Sequence, residues 1–194
     1  MTTPTLTGSL VRLEPLTLAH LRALETFALD QNIWRYMHNW ITTPEELRAY
    51  AETALELETT GTGMPWTTFS VRDNKAVGGT RFYELDLKNK RVMLGFTWLH
   101  PAYRRTGINV EAKLLQLTYA FETLGLNRVA LKTHHENLAS QKAMLGIGCT
   151  CEGTHRNALI MPDGSIRHDV WFSIVKEEWP QVKERLVERL KRRS

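Results

Sequence analysis

The sequence predicts an α/β fold, with helices on both faces of one mixed, mostly antiparallel sheet of about seven strands. Three observations lead there. The first half of the chain carries short apolar and aromatic runs separated by turn residues, as an antiparallel meander does. The second half alternates such runs with helical spacing, as strand-helix-strand units require. Its 194 residues, 42% hydrophobic and 24% charged, suit one domain with a sizeable core, residues 1–194.

Residues 10–13 read as the first strand. Thr17 suits the N-cap of a helix whose buried stripe is Leu18, Leu21, Leu24 and Phe27 or Ala28. Residues 33–41 are dense in large aromatics. Thr43-Pro44-Glu45-Glu46 starts a helix, with proline in the first turn and acids near the positive dipole end; it runs to about residue 58, before Gly61 and Gly63. Strands follow at 66–72 and 76–84, across an Asp73-Asn74 turn, and a polar stretch leads to a buried strand at 92–99. Val110, Leu114, Leu117, Ala120, Phe121 and Leu124 mark a long helix that Gly125 stops. The rest is a strand at 128–133, a helix at 137–146, strands at 149–156 and 166–174 around the turn Met161-Pro162-Asp163-Gly164, and a helix over 176–193.

Composition narrows the function. The tail from Gln181 holds six basic and two acidic residues, which alone account for the net charge of +4. No aromatics interleave with those charges, so a solvated helix is expected and nucleic acid is not the expected partner. The first ten residues lack a basic and apolar leader, and no apolar run is long enough for a membrane span, so a cytoplasmic protein is expected. Cys149 and Cys151, two apart on one strand, are poorly placed for a disulfide and read as reduced thiols. His134-His135-Glu136 and Cys149-x-Cys151 do not complete a zinc pattern, so no metal is expected.

The stretch after the 92–99 strand carries the chemistry. His100-Pro101-Ala102-Tyr103-Arg104-Arg105-Thr106-Gly107 is a cationic loop whose glycine opens the long helix. Free N–H groups and the positive dipole end suit a phosphate there, and two arginines add forked donors. The pattern is neither a three-glycine dinucleotide fingerprint nor a P-loop.

Arg104-x-x-Gly107-x-Asn109 resembles the Arg/Gln-x-x-Gly-x-Gly/Ala signature of the GNAT superfamily of acyl-CoA-dependent N-acyltransferases. More narrowly, the chain resembles the RimJ/RimL branch, which acetylates protein N-termini and some small amines. The matches are Tyr119-Ala120-Phe121-x-x-Leu124-Gly125-Leu126-Asn127-Arg128-Val129, Asn137-x-x-Ser140-x-x-Ala143, Glu152-Gly153-x-x-Arg156, Asp163-Gly164-x-x-x-x-Asp169 and Glu177-Glu178-Trp179-Pro180. Together they cover nearly the whole chain in order. The resemblance implies acetyl-CoA as co-substrate, its pyrophosphate held by Arg104, Arg105, Thr106, Gly107, Ile108 and Asn109. It further implies that the backbone of Trp98 and Leu99, where the central strand splays, meets the thioester carbonyl. Asn137 supports the cofactor arm, and Ser140 protonates the leaving thiolate. Trp34, Tyr36 and Trp40, after the first helix, border the acceptor. Asn109 departs from the small residue of the signature, though its amide still donates to a phosphate.

The base is the larger departure. The branch usually places a glutamate two residues before the glycine of the central strand, and here Met93 precedes Gly95. A thioether accepts no proton. Neutralising a lysine near pKa 10.4 at about pH 7 costs about 4.6 kcal/mol, against about 1 kcal/mol for an α-amine. The expected acceptor is therefore an α-amine, as at a protein N-terminus, or another weakly basic amine. Glu84 is a substitute base if a hairpin sets Tyr83 and Glu84 opposite Met93 and Val92. Met93 also favours an alternative, an acyl-CoA-binding regulatory module without turnover. A homodimer is left open.

Overall fold

A computed structural model describes residues 2–192. Its sheet has eight strands in the order β1-β2-β3-β4-β5-β6-β8-β7. They are β1 Leu6–Thr7, β2 Val11–Pro15, β3 Met64–Ser70, β4 Lys75–Asp86, β5 Arg91–Leu99, β6 Arg128–His134, β7 Thr150–Ile160 and β8 Ile166–Val175. The additional strand is β1, which folds back on β2 with Leu6 opposite Leu13. Every neighbouring pair is antiparallel except β5 with β6. Turn chemistry sets the early hairpins: Asn74 and Lys90 take left-handed backbone, with φ of 48° and 52°.

The helices are α1 Leu21–Ala28, α2 Gln31–Trp34, α3 Pro44–Thr59, α4 Ile108–Thr118, α5 Leu138–Ile147 and α6 Trp179–Lys191. A capping box fixes the start of α3. The Thr43 hydroxyl accepts the Glu46 N–H, and the Glu46 carboxylate accepts the Thr43 N–H, each at 3.2 Å. Thr17 does not cap α1. It precedes a 3₁₀ turn, Leu18–His20, and makes no capping bond. That tighter turn carries Leu18 off the buried stripe, leaving Leu24 and Ala28 as the buried residues of α1. The expected end of α6 at Arg193 lies outside the described residues.

Alternation along the central strands divides the core between the two faces of the sheet. Val77 and Leu99 pack with Leu117, Phe121 and Leu186 on the face covered by α4 and α6. Their neighbours Ala76 and Trp98 pack with Leu24, Trp34 and Leu47, under α1 to α3. At the far edge β7 is exposed almost throughout.

One buried charge ties the beginning of the chain to α4. The Glu111 carboxylate accepts the Ser9, Leu10 and Val11 N–H groups at 2.9, 2.6 and 2.8 Å, and the Ser9 hydroxyl at 2.7 Å. Gly8 makes room for it, since a Cβ there would lie 2.4 Å from the carboxyl carbon. Glu111→Ala strands buried donors and should cost about 3 kcal/mol of unfolding free energy in a urea titration. An unchanged transition would show that this tie contributes nothing.

Candidate active site

The site begins where the sheet comes apart. β5 and β6 pair over Arg91 to Met93 and Arg128 to Ala130 alone. Beyond that, β5 stays with β4 as far as Leu99 opposite Gly78, and β6 stays with β8 as far as His134 opposite Asp169. The two strands diverge, and their facing edges lose their ladder partners. A β-bulge marks the divergence. Between the pairs Arg81–Gly95 and Gly79–Trp98, β5 carries one residue more than β4, and Phe96 sits at φ 50°. Left-handed backbone costs a bulky residue about 1–2 kcal/mol. Here Phe96 is gripped by the Arg81 guanidinium, 3.5 Å over its ring, and by the edge of Tyr83.

Because β5 and β6 run parallel, their C-terminal ends lie together, and both following helices start there. After Leu99 the chain turns through Pro101–Tyr103; Arg104 Nε donates to the Leu99 carbonyl at 3.3 Å, and the Thr106 hydroxyl donates to the Tyr103 carbonyl at 2.7 Å. Arg105 and Gly107 take positive φ, 64° and 98°, and the first intrahelical bond of α4 runs from Glu111 N–H to the Gly107 carbonyl. The N–H groups of Ile108, Asn109 and Val110 therefore have no carbonyl within the helix to receive them. A Cβ on Gly107 would lie 2.9 Å from Leu10 Cδ1. Asn109 Oδ1 is buried without a partner. Arg104 and Arg105 are exposed beside this concentration of donors. Open helical N–H groups and two arginines suit a diphosphate.

α5 starts at the matching end of β6. Asn137 caps it, its Oδ1 accepting the Ser140 N–H at 3.1 Å, and Ser140 is half-buried in the first turn. Beneath the bulge lies Lys113, 5% exposed, whose Nζ donates to Thr97, Gln116 and Thr80 at 2.9, 3.2 and 3.3 Å. Burial pulls its pKa down to about 7.

On the other face, Phe96 floors a cavity of about 450 Å³ walled by His38, Tyr50, Arg81, Tyr83 and Glu84. Burial, then Arg167, Arg81 and Lys132, lower the pKa of His38, which favours its neutral form. Asp169, 1% exposed, is held between Arg167 Nε at 2.6 Å and Lys132 Nζ at 3.1 Å.

A family model described as an acetyltransferase (GNAT) domain matches residues 11–150. The chain belongs to the GNAT acetyltransferase family. YdaF of Bacillus subtilis (strain 168), provisionally named a ribosomal N-acetyltransferase, is 33% identical over 108 residues, 55% of this chain and 57% of that protein. The chain thus spans a little over half the length of the curated relatives it matches first. A crystal structure of a provisionally assigned acetyltransferase from T. thermophilus has a TM-score of 0.88 at 35% identity, covering 98% of this chain and 99% of that one. An acetyltransferase from Salmonella typhimurium, described as modifying the N-terminal serine of ribosomal protein L7/L12, has a TM-score of 0.78 at 19% identity, covering 89% and 99%; that likeness is one of fold.

On this GNAT framework the sequence-derived candidates fall into three groups. Trp98, Leu99 and residues 104–109 line up along the diverging end of β5 and the start of α4, with Asn137 and Ser140 across the gap at the start of α5. Tyr83 stands opposite Met93 as expected, but Glu84 has no cross-strand partner. A second bulge, with Glu84 at φ 51°, leaves it on the cavity wall. The aromatics divide. Trp34 is fully buried, its indole N–H donating to the Ala28 carbonyl at 2.6 Å, so it packs as core and offers a ligand no surface. Tyr36 is half-buried with its carbonyl on Arg167, and Trp40 is 39% exposed. Met93 is 5% exposed and packs against Tyr83 and Ala130. His134 and His135 stack at 4.6 Å, since His135 lies beyond the strand end. Among the described residues no group of three His, Cys, Asp or Glu could hold a metal ion, and no helix is long and apolar enough to cross a membrane.

Sequence reasoning missed Arg81 and Lys113, and gave His38, within the aromatic stretch of residues 33–41, no role of its own. Arg81 left the clearest signal, the one charge within the run from Ala76 to Tyr83 in the middle of β4. Lys113 carries a pH prediction. Unfolded, it holds its proton to about pH 10.4, so above about pH 7 the unfolded chain binds more protons and stability rises with pH. Cys149, pushed up to about 12 by burial, opposes this once the unfolded thiol begins to ionise near 9. Between pH 7 and 9 the wild type should gain thermal stability, and Lys113→Met should lose most of that gain. Parallel profiles for the two proteins would contradict the buried, easily neutralised amine.

Proposed function

We propose that this chain transfers an acyl group, in the simplest case acetyl, from coenzyme A to a primary amine by direct attack on the thioester. The observation that carries this reading is the gap between β5 and β6, which ends at the glycine-opened start of α4. Arg104, Arg105, Thr106, Gly107, Ile108 and Asn109 would hold the pyrophosphate. The unpaired edge of β5 up to Trp98 and Leu99 would turn donors toward the thioester carbonyl, where negative charge develops. Asn137 would steady the cofactor arm with the amide nitrogen that its capping bond leaves over.

The acceptor would approach through the cavity floored by Phe96. Its nitrogen bonds to the acyl carbon as the carbon–sulfur bond breaks, and the nitrogen sheds a proton while the thiolate gains one. Ser140 stands as the donor to sulfur. Glu84 is the acceptor of the amine proton, on the cavity wall, and neutral His38 lines the same cavity. No carboxylate stands at Met93, which favours amines that are partly neutral at working pH, and a protein N-terminus is the natural case. The name of YdaF, provisionally a ribosomal N-acetyltransferase, supports an amine-bearing protein as acceptor. The chain is read as one acyltransferase domain acting in the cytoplasm.

The test is release of CoA thiol from acetyl-CoA. It should require an added amine, and an N-terminal α-amine should outpace a lysine side chain at neutral pH. Binding of acetyl-CoA with no thiol released by any amine would instead favour the regulatory module. Glu84→Gln should lower kcat about 100-fold with little effect on acetyl-CoA affinity. An unaltered kcat would remove Glu84 from the mechanism, and His38→Gln would then be the variant to compare.

A further inference from the structure

Resting on the acyltransferase reading, we infer that the acceptor is a primary amine with a carboxylate a few bonds away, and that Arg81 receives that carboxylate. Arg81 is the one buried guanidinium on the cavity wall. It lies on β4, opposite Gly95, immediately before the bulge. It is 5% exposed, its Nε and Nη1 are buried without a hydrogen-bond partner, and no carboxylate forms an ion pair with it among the described residues. The other deeply buried cations differ. Arg167 has Asp169 at 2.6 Å, and Lys113 has three oxygen acceptors.

The surroundings say which chemistry is missing. Phe96 and Tyr50 lie under the guanidinium, 3.5 and 5.0 Å from its central carbon to the ring centroids. Aromatic faces satisfy the flat faces of the cation and leave its in-plane N–H donors unanswered. A buried charge in that condition is costly unless a partner arrives. The partner that fits a planar fork of donors is an oxyanion, and a carboxylate matches it edge to edge. The ring under Arg81 belongs to Phe96, the bulge residue itself. An anion seated on Arg81 therefore lies beside the stretch of β5 just past Met93, where its pairing with β6 has ended. That reach fits two sources of one chemistry: the α-carboxylate of a free amino acid, or the side chain of an acidic first residue in a peptide. Glu84, on the same wall, supplies the opposite charge for the ammonium of such a zwitterion.

Two matched pairs of acceptors test this by thiol release from acetyl-CoA: glutamate against its α-amide, and Asp-Ala-Ala against Asn-Ala-Ala. In the wild type the acid member of one pair should show a kcat/KM at least ten-fold higher, chiefly through KM, and that pair identifies the source. Arg81→Gln should bring the ratio to near one, and Arg81→Lys should retain part of it. Equal use of acid and neutral members by the wild type overturns the inference, as does a preference that survives Arg81→Gln. The wild-type comparison decides even if a variant fails to fold. Thiol release from neutral amines with no acid preference leaves the acyltransferase reading standing while this one falls. Silence toward every amine removes both.

Discussion

A strand in the middle of a sheet can lose one neighbour and keep the other only if its backbone bends, and here the bend is a single extra residue. Phe96, in left-handed backbone, lets β5 follow β4 to its end while β6 leaves after three pairs. Much of what distinguishes the site follows from that. The parting exposes main-chain donors in the interior, brings two helix starts to the same end of the gap, and sets an aromatic ring as the floor of a cavity. The strain is local and its offset is local too, because the cation and rings that hold Phe96 are the ones that line the cavity. Backbone strain and the wall of the cavity therefore meet at one residue.

The buried charges arrange themselves around this defect. Lys113 supports it from below through two threonine hydroxyls, one on each strand of the bulged pair. Arg81 covers it from above. Asp169, deeper on the same side, is neutralised by Arg167 and Lys132. A core of this size could be built from apolar residues alone, at lower cost in desolvation. That ionisable groups gather where the ladder fails is consistent with a site that must stabilise charge during its reaction.

Much of the architecture was legible from periodicity and punctuation. Apolar runs placed the seven longer strands, and the Thr43-Pro44-Glu45-Glu46 start of α3 was readable to the residue because its capping chemistry is local. The two-residue β1 was invisible, for a strand that short has no period, and Glu111, which holds the turn after it, lies a hundred residues away. Thr17 misled for a related reason, since a good capping residue does not decide whether the next turn is α or 3₁₀. At the site, the loop from Arg104 and the opening of α4 at Gly107 could be located because that pattern is written in consecutive residues. The register of Tyr83 on Met93 followed from hairpin length, but the bulge that turns Glu84 out of the ladder depends on packing across strands. Trp34 illustrates the limit from the other direction. An aromatic near a cleft and an aromatic beneath it look alike until the backbone says which way each points.

The contact between Glu111 and the turn at Ser9 to Val11 has a consequence for how the molecule is made. The donors that open α4 are aligned by a helix whose first turn is anchored to the beginning of the chain, and Leu10 from that same turn packs under Gly107. Closing so long a loop is slow and entropically costly, so the cradle is assembled late, after the ribosome has passed residue 111 and the two segments have found each other. An excised peptide carrying the strand, the loop and the helix would keep the signature but lose the tie that anchors the first turn of α4.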